Sequence, residues 1–331
     1  MQGTGDDDRH CRGARHASAK KIWCQAVDRL HEQLGLTIEL ASELFGNTRQ
    51  AYYQKKRDEA EWIRRVNRIL DAASEIRQQD PGIGCLKLWL MMKGMFCEGW
   101  VPGRDQFFNL MRTFGITLKR PKPRHTTNSN HRYHKYKNLI KNFIPTAASQ
   151  LWVSDITYID TGDGCCYLHL VTDAYSHKII GWCLSETLHA AHTQKALRMA
   201  IESTGRESLE GLIHHSDRGV QYCCNDYVAE LNRYHISISM CEDYNPTDNA
   251  IAERVNGILK TEVIYRRRQF EDYDEALECI SSFISFYNEK RPHGSIGYKV
   301  PSVAHLETGA QKQTWRQAGE GRSRGLSAPC R

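Results

Sequence analysis

Three acidic residues in the C-terminal half of the chain have the type and spacing for metal-assisted chemistry on phosphates: Asp155 in LWVSDITYID, Asp217 in HHSDRGVQY and Glu253 in YNPTDNAIAERVNGILK. Their surroundings suggest a strand, a strand end and a helix respectively, and 35 residues separate the last two. Mg²⁺ prefers hard oxygen ligands and keeps several waters, so two or three carboxylates with phosphate oxygens make its usual set. Two such ions about 3.5 to 4 Å apart can activate a water or a DNA 3′-hydroxyl and stabilise the leaving oxygen of an in-line displacement. Cys and His ligands would favour zinc instead. His214 and His215 adjoin Asp217 and are expected to orient it or contact DNA rather than bind metal.

Each carboxylate has a competing structural reading. Asp155 interrupts an apolar strand, where a lone carboxylate is costly to bury unless paired or bound; the alternative is an Asp on the outer face of an edge strand. Asp217 ends a short strand before Arg218-Gly219. Strand ends of α/β sheets assemble sites, but a simple turn Asp is common there too. On a helix starting near Asp248, a projection at about 100° per residue places Ile251, Val255, Ile258 and Leu259 on one stripe. Asn249, Glu253, Asn256 and Lys260 then share the opposite face, expected to lie clear of the sheet and look into a cleft; a merely solvated Glu-Lys face is the alternative.

The elements needed to position these residues can be read in order. LWVSDITYI, CCYLHLVTDA and HKIIGWCLS are β-rich runs separated by TGDG and YS turns, hence consecutive antiparallel strands. TQKALRMAIEST reads as a helix, LIHHSD as a strand, NDYVAELNRY as a helix and ISISM as a strand. This β-β-β-α-β-α-β order, giving way to helices, predicts a ribonuclease-H-like α/β core with a mixed five-stranded sheet over residues 149–306. DEALECISSFISFYNEKRP supplies a late amphipathic helix ending at Arg291-Pro292.

Upstream, the pattern is helical. LTIELASELFGNTRQAYYQKKR reads as helix, Gly46-Asn47 turn and second helix, the spacing of a helix-turn-helix. Thr48, Arg49 and Gln50 would open the second helix, where base edges are usually reached; an ordinary helical hairpin is the alternative. GCLKLWLMMKG and RDQFFNLMRTFG, joined through breaker-rich EGWVPGRD, form a second pair. Residues 26–117 are thus expected to be an all-α DNA-binding region after a leader of residues 1–25, with a polar disordered tail over 307–331.

Composition fits this division. Residues 1–150 carry a net charge of +11 and residues 151–331 a net of −5, a basic half suited to a polyanion beside an acidic half suited to metal. No acidic residue lies between Asp105 and Asp155, and residues 118–148 form a Pro-containing basic linker. Lys119, Arg120, Lys122, Arg124, Arg132, Lys135, Lys137 and Lys141 there can track phosphates with salt-dependent affinity. The first residues are acidic and polar, and no apolar run approaches the roughly 18 residues of a membrane span, so a cytoplasmic location is expected. The 12 cysteines are scattered with no C-x-x-C, pointing to reduced thiols rather than zinc or a disulfide framework.

Taken jointly, WVSDITYI, IHHSDRGVQY and DNAIAERVNGILKTE, with Lys260 seven residues after Glu253, resemble the retroviral-integrase-type core of DDE transposases. The paired helical units, TDAYSHKIIGW and FYNEKRPHGSIGYKVPSV narrow the resemblance to the second-frame product of the insertion sequence three family, over roughly residues 37 to 305. The resemblance implies that Asp155, Asp217 and Glu253 are catalytic and bind two Mg²⁺ ions, replaceable by Mn²⁺. It implies 3′-end cleavage and strand transfer of DNA with no covalent enzyme intermediate, by a homo-oligomer on DNA. Candidate DNA contacts are Lys260, Asn249, Arg218, Arg49, Lys119, Arg120 and Arg124. The family often has Ser-Arg where Ser176 is followed here by His177. It is also commonly fused to an upstream-frame product with a zipper-like helix, and no sustained heptad occurs here. A structure-specific nuclease of the same fold and a non-catalytic DNA-binding regulator are the alternatives.

Overall fold

The computed structural model describes residues 23–118, 134–242, 249–267 and 269–311. Lys119, Arg120 and Arg124 therefore lie outside the described residues. The chain divides into two compact units, Met1–Ala72 and Ala73–Arg331.

In the first unit, residues 23–34 form α1, followed by α2 (Ile38–Glu43) and the start of α3 (Arg49–Gln79). Thr37 and Thr48 are the expected stop-start chemistry: each hydroxyl accepts from a backbone N–H three residues on, Leu40 at 3.3 Å and Ala51 at 3.1 Å. Val27, Ala41, Cys24 and Tyr52 form a small core where the three helices meet. Asp28 ties α1 to α3, accepting from Lys56 Nζ at 2.5 Å and from the Tyr52 hydroxyl. Arg49 opens α3, exposed, with its guanidinium 5.8 Å from the Tyr53 ring centroid.

The second unit takes in the end of α3 and then a helical pair, α4 (Cys85–Met95) and α5 (Arg104–Thr113), whose buried faces carry Leu88, Met92, Phe107 and Met111. The turn between them is held by stacking of Phe96 on Trp100 at 4.2 Å and by Trp89 Nε1 donating to Pro102 O at 3.0 Å. A five-stranded sheet follows, β1 (Leu151–Thr161), β2 (Gly164–Asp173), β3 (Ile179–Ser185), β4 (Ile213–Ser216) and β5 (Ser237–Met240), in the order β3-β2-β1-β4-β5. The first three strands pair antiparallel; β4 runs parallel to β1 and β5 parallel to β4. This is the mixed sheet predicted, and β1 is its central strand, not an edge.

Alternation along β1 divides the core in two. Trp152 and Val171 face α6 (Ala190–Thr204) and α8 (Asn225–Arg233) through Ala196, Leu197, Ala200, Tyr227 and Leu231; the short α7 (Val220–Cys223) adds Tyr222. On the opposite face Ile159, Leu168 and Leu170 meet α9 (Ala250–Glu262) and α10 (Tyr273–Glu289) through Val255, Ile258, Leu259, Ile280 and Phe283. The result is a three-layer ribonuclease-H-like sandwich closed by α11 (Pro301–Ala304).

Two expectations change. Residues 137–141, read as solvated linker, run along β5: Leu139 N donates to Ser239 Oγ at 2.9 Å, and Lys141 pairs with Glu242 at 2.5 Å. An exposed sheet edge with free backbone groups recruits such a segment. Residues 307–311, assigned to the tail, return to the start of the core instead, with Thr308 bridging Ala147 and Gly309 N donating to Thr146 O at 2.7 Å.

Candidate active site

Parallel register brings the first two acidic residues together. Ser154 pairs with Ser216 across β1 and β4, so the residues that follow are brought side by side, Asp155 on β1 and Asp217 just past the end of β4. Asp155 lies on the face that α9 covers. Asp155 is half-buried; its Oδ1 accepts from Ile156 N at 2.9 Å and its Oδ2 from Asn256 Nδ2 of α9 at 2.7 Å. Asp217 Oδ1 accepts from Gly219 N at 2.9 Å. Burial and then the charge of Asp217 push the Asp155 carboxyl up to about 7, and Glu253 adds to the shift, so Asp155 senses both other acids.

Glu253 projects from the exposed flank of α9, and burial raises its carboxyl as well. Lys260, half-buried two turns later, is lowered by burial against the opposing pull of Asp155. Among the described residues, no three His, Cys, Asp or Glu side chains are gathered closely enough to hold a metal ion. Arg218, beside Asp217, is half-buried.

The helical projection needs a correction. Asn249 and Asn256 are both buried, at 5 % exposure, on β1 rather than clear of the sheet. Asn249 Nδ2 donates to Ser154 O at 3.1 Å, so its amide is committed to positioning α9. Periodicity sorts residues by polarity and cannot see that the central strand offers a carboxylate and a carbonyl for amides to meet. Asn256 was the residue missed as a site member, and the signal was its place one turn from both Glu253 and Lys260 on the same face.

His214 and His215 also differ from expectation. Both are buried, at 1 % and 0 % exposure, which closes them to DNA. His214 Nε2 bonds Ser154 Oγ at 2.8 Å and Tyr227 OH at 3.0 Å on the far face of the sheet, while His215 Nδ1 bonds Ser239 Oγ at 2.8 Å. Burial pushes His214 down to about 3, so it is a neutral strut between β1 and α8. His177, the departure from Ser-Arg, has φ +58° and stacks on His293 at 4.4 Å.

One carboxylate on the central strand and another just past the end of the adjacent parallel strand, roofed by a helix carrying Glu and Lys, place the chain among α/β proteins of the integrase-core class. Residues 145–246 match the family described as Integrase core domain, and residues 234–301 match a second family of the same description. The chain is 34% identical over 268 residues to the 31 kDa protein of insertion element IS600 of Shigella sonnei, spanning 79% of this chain and 96% of that one. It is 27% identical to the transposase for insertion sequence element IS629 of Shigella sonnei over 84% of this chain and 94% of that one. It is 38% identical to the transposase of insertion sequence IS3A of Escherichia coli over 50% and 57% respectively. The chain belongs to the insertion-sequence transposases built on an integrase core domain. Among the described residues, no helix is long and apolar enough to cross a membrane.

Proposed function

We propose that this polynucleotidyl transferase cleaves the 3′ ends of an insertion sequence and joins them to target DNA, with Asp155, Asp217 and Glu253 as its metal-binding catalytic residues. The observation that carries this reading is the register of β1 and β4, which sets Asp155 beside Asp217 under the helix bearing Glu253. In chemical type the three donors suit a divalent ion. All three groups offer hard oxygens, and among the described residues Asp155 accepts from a backbone N–H and an amide while burial and then the charge of Asp217 push its carboxyl up.

A bound Mg²⁺ or Mn²⁺ pair would supply Lewis-acid stabilisation and a nucleophile at neutral pH. Asn256 holds the Asp155 carboxylate in one rotamer, and Lys260 offers its ammonium to a phosphate of the element end. Water is the nucleophile for cleavage, breaking the bond that releases a 3′-hydroxyl; that hydroxyl then attacks a target phosphate, displacing a target 3′-oxygen without an enzyme-bound intermediate. Arg49 and the basic linker, including Lys119, Arg120 and Arg124, add phosphate contacts, with Arg218 beside the site; the protein works as a homo-oligomer on DNA, alone or fused to an upstream-frame product.

The test is incubation of the purified protein, and of its fusion to any upstream frame, with oligonucleotides bearing the element ends in Mg²⁺ or Mn²⁺. Nicked and then joined products are expected, and full activity in Asp217→Ala would overturn the assignment. Hydrolysis without joining would reduce the protein to a nuclease.

A further inference from the structure

The last turn of α9 is gripped by a buried charge cluster that the proposed chemistry does not use. Glu262 lies nine residues beyond Glu253 and two beyond Lys260 on that helix. Its Oε2 accepts from Arg291 Nε at 2.6 Å and its Oε1 from Arg291 Nη2 at 2.7 Å, a two-point fork. Arg291, just past the end of α10, is 1 % exposed. Two residues of the α3–α4 region complete the cluster: Lys87 Nζ donates to Glu262 Oε1 at 2.9 Å, and Asp80 Oδ2 lies 3.6 Å from Arg291 Nε. Asp80 is itself 0 % exposed and its Oδ1 accepts from Gly82 N at 3.1 Å. The segment is pressed directly on α9, because a Cβ on Gly82 would stand 2.1 Å from Glu262 Cα and 2.6 Å from Glu262 O.

Such a cluster is a poor way to add stability. Burying the Glu262 carboxylate with two cations, beside Asp80 whose carboxyl burial and the Glu262 charge push up to about 8, costs much of what their attraction returns, and packed apolar residues of the same volume often do as well. Its distinctive property is direction. Along the rest of α9, Val255, Ile258 and Leu259 make apolar contact with the sheet, which is non-directional and tolerates small slides and rotations of a helix. The single amide bonds of Asn249 and Asn256 to β1 are its other directional ties. A bidentate arginine fork admits one geometry.

We infer that Glu262, Arg291, Lys87 and Asp80 form a positioning clamp that sets the axial register of α9, and through it the placement of Glu253, Lys260 and Asn256 over Asp155. The helical pair α4–α5 is thereby part of the catalytic unit, since Lys87 belongs to α4. The inference rests on the proposed role of Glu253, and the residues of the clamp are positioning residues, not catalytic ones.

The experiment uses the full chain with Lys87→Met and Arg291→Lys, the second preserving charge while removing the fork. Amide hydrogen exchange is followed over residues 250–262, beside the Mg²⁺ concentration giving half-maximal cleavage of element-end DNA. The clamp requires faster exchange at residues 250–257, two turns from the substitution, and a half-saturating Mg²⁺ raised by about tenfold, the scale of losing support behind a ligand, with end-DNA binding unchanged. Exchange altered only at residues 258–262 in both variants overturns it, whatever the activity. If Asp217→Ala still cleaves, the reading of the site fails, and the exchange data alone decide the clamp. A merely structural role would lower thermal stability without moving the Mg²⁺ midpoint.

Discussion

Asn256 on α9 donates its amide to Asp155 Oδ2 on β1 at 2.7 Å, joining the roof helix to the central strand at the carboxylate itself. The bond holds Asp155 in place while its other oxygen takes Ile156 N at 2.9 Å. Asn256→Ala should leave the fold intact, since it removes one hydrogen bond to a charged group worth about 1.5 to 3 kcal/mol. Cleavage should fall by about 10- to 100-fold, as for other supports of metal-binding side chains. Single-turnover cleavage of end oligonucleotides, with thermal melting as control, checks this; a wild-type rate would remove Asn256 from the site.

Glu253 stands apart from the other two acids by its exposure, so its role can be tested without disturbing packing. Glu253→Gln keeps the volume and removes the charge. Cleavage and joining should both drop by at least about 10²-fold, the loss typical of one electrostatic contributor to a transition state. Binding of end DNA, measured by fluorescence anisotropy, should stay within a factor of two or so, because uniform binding is not what the charge supplies. Loss of joining with normal cleavage would contradict one shared site for both steps.

Much of this was legible before any coordinates. The β-β-β-α-β-α-β order follows from period-two and period-3.6 patterns, which record burial directly, whereas the choice between a central and an edge strand for Asp155 needed the sheet order. The meeting of Asp155 with Asp217 needed the parallel pairing of β1 with β4, a long-range fact that a motif resemblance can supply and periodicity cannot. Glu262 with Arg291 was out of reach for the same reason: an isolated Glu on a helix and an Arg before a Pro look solvated until the fold brings them to 2.6 Å. Asn249 and Asn256 misled in the opposite direction, because a polar stripe usually means solvent.

Buried histidines should make the protein sensitive to mild acid. His169 and His177 are pushed down to about 4 and His214 to about 3, in each case first by burial. Between pH 6.5, the ordinary value, and pH 5 the unfolded chain therefore binds these protons and the folded chain does not. Stability must fall as pH falls, by about 2 kcal/mol for each ring over that interval. Thermal melts at pH 7.5, 6.5 and 5 should show the midpoint dropping chiefly below pH 6.5. Equal midpoints at pH 7.5 and 5 would mean that the rings are not held neutral in the sheet.

The contact between α6 and β3 gives a test of the fold itself. A Cβ on Gly181 would lie 2.1 Å from Ala196 O and 2.9 Å from Ala200 N, both backbone atoms of α6, so neither neighbour can rotate away. Gly181→Ala must push the helix off the sheet and open the layer around Trp152 and Val171, whose residues share that core. Overpacking of this kind costs about 1 to 3 kcal/mol or more. Gly94, inside α4 with nothing within 4 Å of a built Cβ, is the matched control. Gly94→Ala should stabilise by up to about 1 kcal/mol through helix propensity alone. Opposite shifts in melting temperature for the two variants are expected; a neutral Gly181→Ala would show that α6 packs farther from β3 than this structure has it.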